Sequence, residues 1–164
     1  MTLVVGMTGG TIYPLSAQAQ VPSQACLSLV AGTYLLSITD AQGNATSRAI
    51  FTFHDDGTFS TIDSSQAGVV GQFNPFTDTQ GPWACTGINT FTASGLNFDL
   101  SGSESTEGGL ARADYTAEIN QQTGELKGEL ELRFFPLNGN PLTDEGRSGG
   151  SFSFTALRVT LPTQ

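Results

Sequence analysis

The chain has 164 residues, 15 of them acidic and 6 basic, for a formal net charge of −9. That length supplies one domain of ordinary size and not two, and the charge excludes nucleic acid as a partner, because phosphate neutralisation needs clustered Lys and Arg. A hydrophobic share of 38% with eleven Phe excludes a disordered chain, and twenty Gly point to strands and turns.

From the N-terminus, Met1 to Leu15 is apolar but broken by Gly6, Gly9, Gly10 and Pro14. It is too short and too interrupted to cross a bilayer as a helix, so no membrane insertion is expected. Ala17-Gln18-Ala19 then supplies small residues at the spacing a signal peptidase uses, although no Lys or Arg precedes Arg48. Residues 1–19 therefore read either as a secretory signal peptide or as a disordered tail, and residues 20–31 as an N-terminal extension. Cys26 and Cys85 are the only cysteines. In an exported chain, secreted or periplasmic, an even count reads as one disulfide. In a reducing compartment it reads as two buried thiols. Asn44-Ala45-Thr46 fits a glycosylation acceptor and equally a turn.

Beyond residue 31 no helical period is sustained, and β-rich runs alternate with turn clusters. Eight strands are expected, over 32–39, 45–54, 58–64, 81–87, 90–100, 110–120, 125–135 and 150–160. Asp55-Asp56-Gly57 between the second and third is a strong hairpin signal. In the seventh, Leu126, Leu130, Leu132 and Phe134 share one face and Lys127, Glu129, Glu131 and Arg133 the other. Such a period of two sets an apolar interior against water. The eighth sets Phe152, Phe154 and Ala156 inward. The sixth does so with Ala111, Ala113, Tyr115, Ala117 and Ile119, and the first with Tyr34, Leu36 and Ile38. Consecutive antiparallel strands without helices form a closed meander or a sandwich, and short neighbour connections and the removal of exposed edges favour closure. The expected fold is all-β: an eight-stranded antiparallel up-and-down β-barrel over 32–161. Connections 65–80, 101–109 and 136–149 are long and fall at one end. Those at 55–57, 88–89 and 121–124 are tight and fall at the other, which reads as a rim above a base.

Several features resemble the calycins, the barrel group of lipocalins and avidins. Those proteins open their first strand with Gly-x-Trp where this chain has Gly32-Thr33-Tyr34. Lipocalins place an Arg near the end of the last strand, and here Arg158 stands there. The resemblance implies that Tyr34 and Arg158 meet as a cation–π plug on the base. Asp114-Tyr115 is similar to part of a lipocalin Thr-Asp-Tyr motif. Cys26, just before strand one, looks like an early avidin Cys, and Cys85 falls toward the same base. A competing resemblance is to the eight-stranded barrels of allene oxide cyclase and dirigent proteins, on the run Phe53-His54-Asp55-Asp56-Gly57-Thr58-Phe59.

An interior of Phe, Leu, Ile, Ala and Tyr with space above Ala111, Ala113 and Ala117 fits a small hydrophobic molecule. The expected lining comprises Leu36, Ile38, Ala113, Tyr115 and Phe152, with Phe98 and Phe134 near the rim and Trp83 in the upper cavity. Loop 65–80 carries Val69, Val70, Phe73, Pro75 and Phe76. Phe73 and Phe76 read as a flap over the mouth, a satellite core on the outer wall or a homodimer contact. If the barrel is instead a cyclase or isomerase of an apolar substrate, Tyr115 and Glu118 are its acid–base candidates. A third reading is a structural or adhesive secreted module. His54, the only histidine, stands beside a base turn, and Glu129 and Glu131 read as solvated partners of Lys127 and Arg133. Two Cys and one His cannot build a zinc site, and Asp55-Asp56 lacks a calcium loop's recurring ligands. Gly108-Gly109 and Gly149-Gly150 lack a P-loop's Lys-Ser or Lys-Thr, and the second pair reads as the end of a loop. No metal and no cofactor are expected.

Overall fold

The structure, a computed structural model, describes residues 24–162. The signal-peptide reading of 1–19 lies outside them. A short helix, α1 (Gln24–Val30), precedes eight strands. They are β1 (Gly32–Thr39), β2 (Ala45–Phe53), β3 (Thr58–Asp63), β4 (Thr79–Cys85), β5 (Thr90–Asp99), β6 (Gly109–Ile119), β7 (Leu126–Pro136) and β8 (Arg147–Arg158). Each pairs antiparallel with its sequence neighbour, and β8 returns to β1, so the sheet is a closed up-and-down barrel without a free edge. Among the described residues no helix is long and apolar enough to cross a membrane.

Two boundaries differ from the sequence reading. β4 begins at Thr79, because Thr79 and Gln80 already pair with β3. β8 begins at Arg147 and runs through Gly149-Gly150 instead of starting after a loop. Leu132 pairs with Gly150 but Arg133 with Ser148, so Gly149 is an extra residue, a bulge in β8. The helix was not expected, since seven residues are too few to display a period.

Register partners trace one helical row around the wall. It leads from Arg158 through Tyr34, Phe51, Thr61 and Thr79, then by a hydrogen bond to Asn97, then through Ala111 and Phe134 to Arg147. One circuit thus climbs from position 158 to position 147 of β8, 11 residues (158 − 147), as tilted barrel strands require. The row begins at the base and ends at the rim, and Thr61, Thr79 and Asn97 lie midway.

α1 closes the base. Cys26 and Val30 are fully buried, and a disulfide joins Cys26 to Cys85 at the foot of β4, with Cα atoms 6.2 Å apart. The Arg158 guanidinium lies 4.9 Å from the centre of the Tyr34 ring. It donates to the carbonyl of Ala31 at 2.8 Å, and also to the carbonyl of Leu29 and the Tyr34 hydroxyl. Tyr34 in turn donates to the carbonyl of Val30 at 2.9 Å. One side chain thereby occupies carbonyls at the helix C-terminus that the helix itself leaves free. Burial raises the Tyr34 pKa, and Arg158 opposes that rise.

Candidate functional site in the rim half of the barrel

The base half of the lumen is filled by the protein itself. Eight rings, those of Tyr34, Phe51, Phe53, Phe59, Trp83, Phe91, Tyr115 and Phe154, form one connected set with centroids 5.0 to 6.3 Å apart, mostly edge to face. Trp83 belongs here and not to an upper cavity. Its indole N–H donates to the carbonyl of His54 at 2.8 Å in the base turn, and its ring lies against Phe53 and Phe91. The backbone of His54 thus has a packing role, while its side chain is exposed.

Above this floor the wall changes character. Ala49, Ala93, Ala111 and Ala113 are buried but small. Leu130, Leu132, Phe134 and Phe152 share the lumen-facing parity of β7 and β8 but are only half-buried, so the lumen opens toward them. Leu36 and Ile38 complete the apolar side and are buried. The opposite side, β2 to β5, is polar. Ser47 donates to Asp63 at 2.9 Å, and Asp63 also accepts from the backbone and hydroxyl of Ser65. Asn97 Nδ2 donates to Thr79 Oγ1 at 2.9 Å. The hydroxyl of Thr61 and the Oδ1 of Asn97 are buried and have no protein partner. Burial in the aromatic floor raises the Tyr115 pKa far above its ordinary value, and the carboxylates of Asp63 and Asp114 push it further, so the phenol stays neutral.

At the rim, Phe76 forms an isolated antiparallel bridge with Asp99, which gives it the same face as Asp99. Phe73 lies beside it, centroids 6.0 Å apart. Burial raises the Asp99 pKa, opposed by the charge of Arg147, whose guanidinium stands 4.9 Å from the centre of the Phe134 ring. Loop 64–78 is stitched to loop 100–108 by buried Asn74, which accepts from the backbone of Glu104 at 2.9 Å and donates to the carbonyl of Ser105 at 3.0 Å. Loop 137–146 lies along the outer wall. There, buried Pro141 and the Arg112 guanidinium, 5.6 Å from the ring centre, cover Phe135.

Two sequence expectations are corrected. Phe98 does not line the lumen: it is 54% exposed, because Phe91, Ala93, Gly95 and Asn97 take the inward parity of β5 and leave Phe98 outside. Glu118 does not join Tyr115, since three residues apart in one strand means opposite faces. Glu118 lies opposite Lys127 on the outer wall. Leu36, Ile38, Ala113, Tyr115, Phe134 and Phe152 share the lumen-facing side. The sequence reading missed Thr61, Thr79, Asn97, Asp63 and Asp99. Their signal was parity with Phe59 and Phe91, each two, four or more even steps away.

The outer wall bears a shallow saddle of about 590 Å³ that includes Thr92, Thr116, Glu118, Lys127, Glu129 and Thr155. Its side chains are solvated and it offers no buried polar anchor, so it is a poorer site than the lumen. Among the described residues no group of three or more His, Cys, Asp or Glu could hold a metal ion. No family model matches the chain, and no curated protein matches it significantly. Among solved structures, a redesigned β-barrel is similar at 14% identity and a TM-score of 0.49, over 83% of this chain and 96% of that one.

Proposed function

We propose that this is an exported binding protein that holds a small, mainly apolar molecule in the rim half of its barrel. The observation that carries the reading is the change of wall above the aromatic floor. Lumen-facing Leu130, Leu132, Phe134 and Phe152 stay half-buried opposite small Ala side chains. Covering them removes apolar surface from water at about 25 cal/mol per Å², set against the cost of fixing the guest. The disulfide supports an oxidising compartment. The calycin resemblance agrees with the reading and adds no residue to it.

Amide NMR during titration with ethylbenzene tests the proposal. Shifts at Ala111, Leu132 and Phe152, with Phe53 and Trp83 unmoved, are expected. Shifts confined to the outer wall, or none, overturn it. A retained mass of a few hundred daltons in native mass spectrometry of protein from its source would identify the guest. The eight packed rings favour a second reading, a purely structural module, which a silent titration would select. The cyclase reading loses its acid–base pair with Glu118 on the outer wall.

A further inference from the structure

We infer that the guest carries an uncharged hydroxyl, seated between Thr61 Oγ1 and Asn97 Oδ1; this rests on the reading that the rim half of the lumen takes a guest. The two atoms belong to one polar strip. Thr61 pairs in register with Thr79, and Asn97 Nδ2 donates to the Thr79 hydroxyl at 2.9 Å. Three neighbouring strands thus present Thr61, Thr79 and Asn97 midway between base and rim. Both side chains are more than nine-tenths buried, and the protein supplies a partner to neither free atom. Leaving such an atom unpaired is costly, so whatever satisfies it is bound selectively.

The chemistry of the pair narrows the guest. Asn97 Oδ1 only accepts and therefore needs a donor. The Thr61 hydroxyl has a proton to give and lone pairs to fill. A guest hydroxyl donates to Asn97 and accepts from Thr61 with one oxygen. A carbonyl cannot donate to Asn97. An ammonium has no lone pair for the Thr61 proton, and the nearby carboxylate of Asp63 is already held by Ser47 and Ser65. A carboxylate guest meets Asn97 Oδ1, Asp63 and Asp99 on one side of the lumen, all of one sign.

Benzyl alcohol and ethylbenzene have nearly the same shape and differ by hydroxyl against methyl. Their dissociation constants, with that of benzylammonium, are to be measured by amide NMR on the intact protein, Thr61→Val and Thr61→Ser. The preference for benzyl alcohol relative to ethylbenzene should fall roughly tenfold in Thr61→Val, the loss of one hydrogen bond, and return in Thr61→Ser. An unchanged preference in Thr61→Val overturns the inference while leaving the apolar site standing. Benzylammonium binding more tightly than benzyl alcohol overturns it too. Failure of all three probes, ethylbenzene included, overturns the binding function itself.

Discussion

Arg158 concentrates more of the fold in one side chain than any other residue of the base. Its fork serves the carbonyls of Leu29 and Ala31 and the Tyr34 hydroxyl while its plane faces the Tyr34 ring. Arg158→Met should cost about 2–4 kcal/mol, since it leaves these groups underpaired near the core. Arg158→Lys should recover little of that loss, because a point charge cannot serve a fork. Urea denaturation of both variants checks this. Asp99 behaves oppositely. Its pKa is raised by burial, so its ionised form weakens the fold above the folded pKa, and the penalty is absent below the ordinary value near 4. Asp99→Asn should therefore raise Tm at pH 7, with the gain shrinking as pH falls toward about 4. Asp40 and Asp56 run the other way. Hydrogen bonds from Asn44 and Thr58 hold their carboxyls low, so they stabilise above pH about 4 and lose that contribution as pH falls. At this scale legibility depended on chemical contrast. Tyr34 and Arg158 were readable because unlike residues stood at fixed places in the first and last strands. Thr61 and Asn97 were not, because a polar residue on an inward parity looks like surface until its neighbours' faces are assigned.

Among elements, β6, β7 and β8 were legible because charged and apolar residues alternate without a break. Leu126 to Phe134 is the clearest run. β4 was read two residues late because Thr79-Gln80 carries no apolar signal, and its ladder to β3 makes it a strand. Gly149-Gly150 looked like loop and is a bulge, where the register slips to keep Leu132 inside and Arg147 beside Phe134. α1 was hidden by its length, and its place is set by long-range bonds to Cys85 and Arg158. Replacing Cys26 and Cys85 together by Ser should destabilise the protein by about 4 kcal/mol in the chain-entropy account. The pair is separated by 59 residues. Thermal unfolding with and without reductant checks it, and reduction of the native protein should reproduce the double variant.

For the molecule as a whole, closure was legible from eight strands with neighbour connections. The division of the lumen was not, because no single strand reveals how rings from several strands meet at one height. The union of β8 with β1 is made by residues 124 positions apart, Tyr34 and Arg158 among them. A chain ending at Gly146 lacks β8 and leaves β1 and β7 as raw edges. It should show no cooperative unfolding transition and should aggregate in light scattering.

That seam between the first strand and the last also imposes an order of events. While the polypeptide is being made, its opening segment has no second neighbour to grip, and it must wait until nearly every other residue has emerged. Assembly is therefore late and governed by long-range encounters, which are slow. Any machine that threads the chain through a narrow passage before its tail appears handles an unlatched string, not a finished vessel.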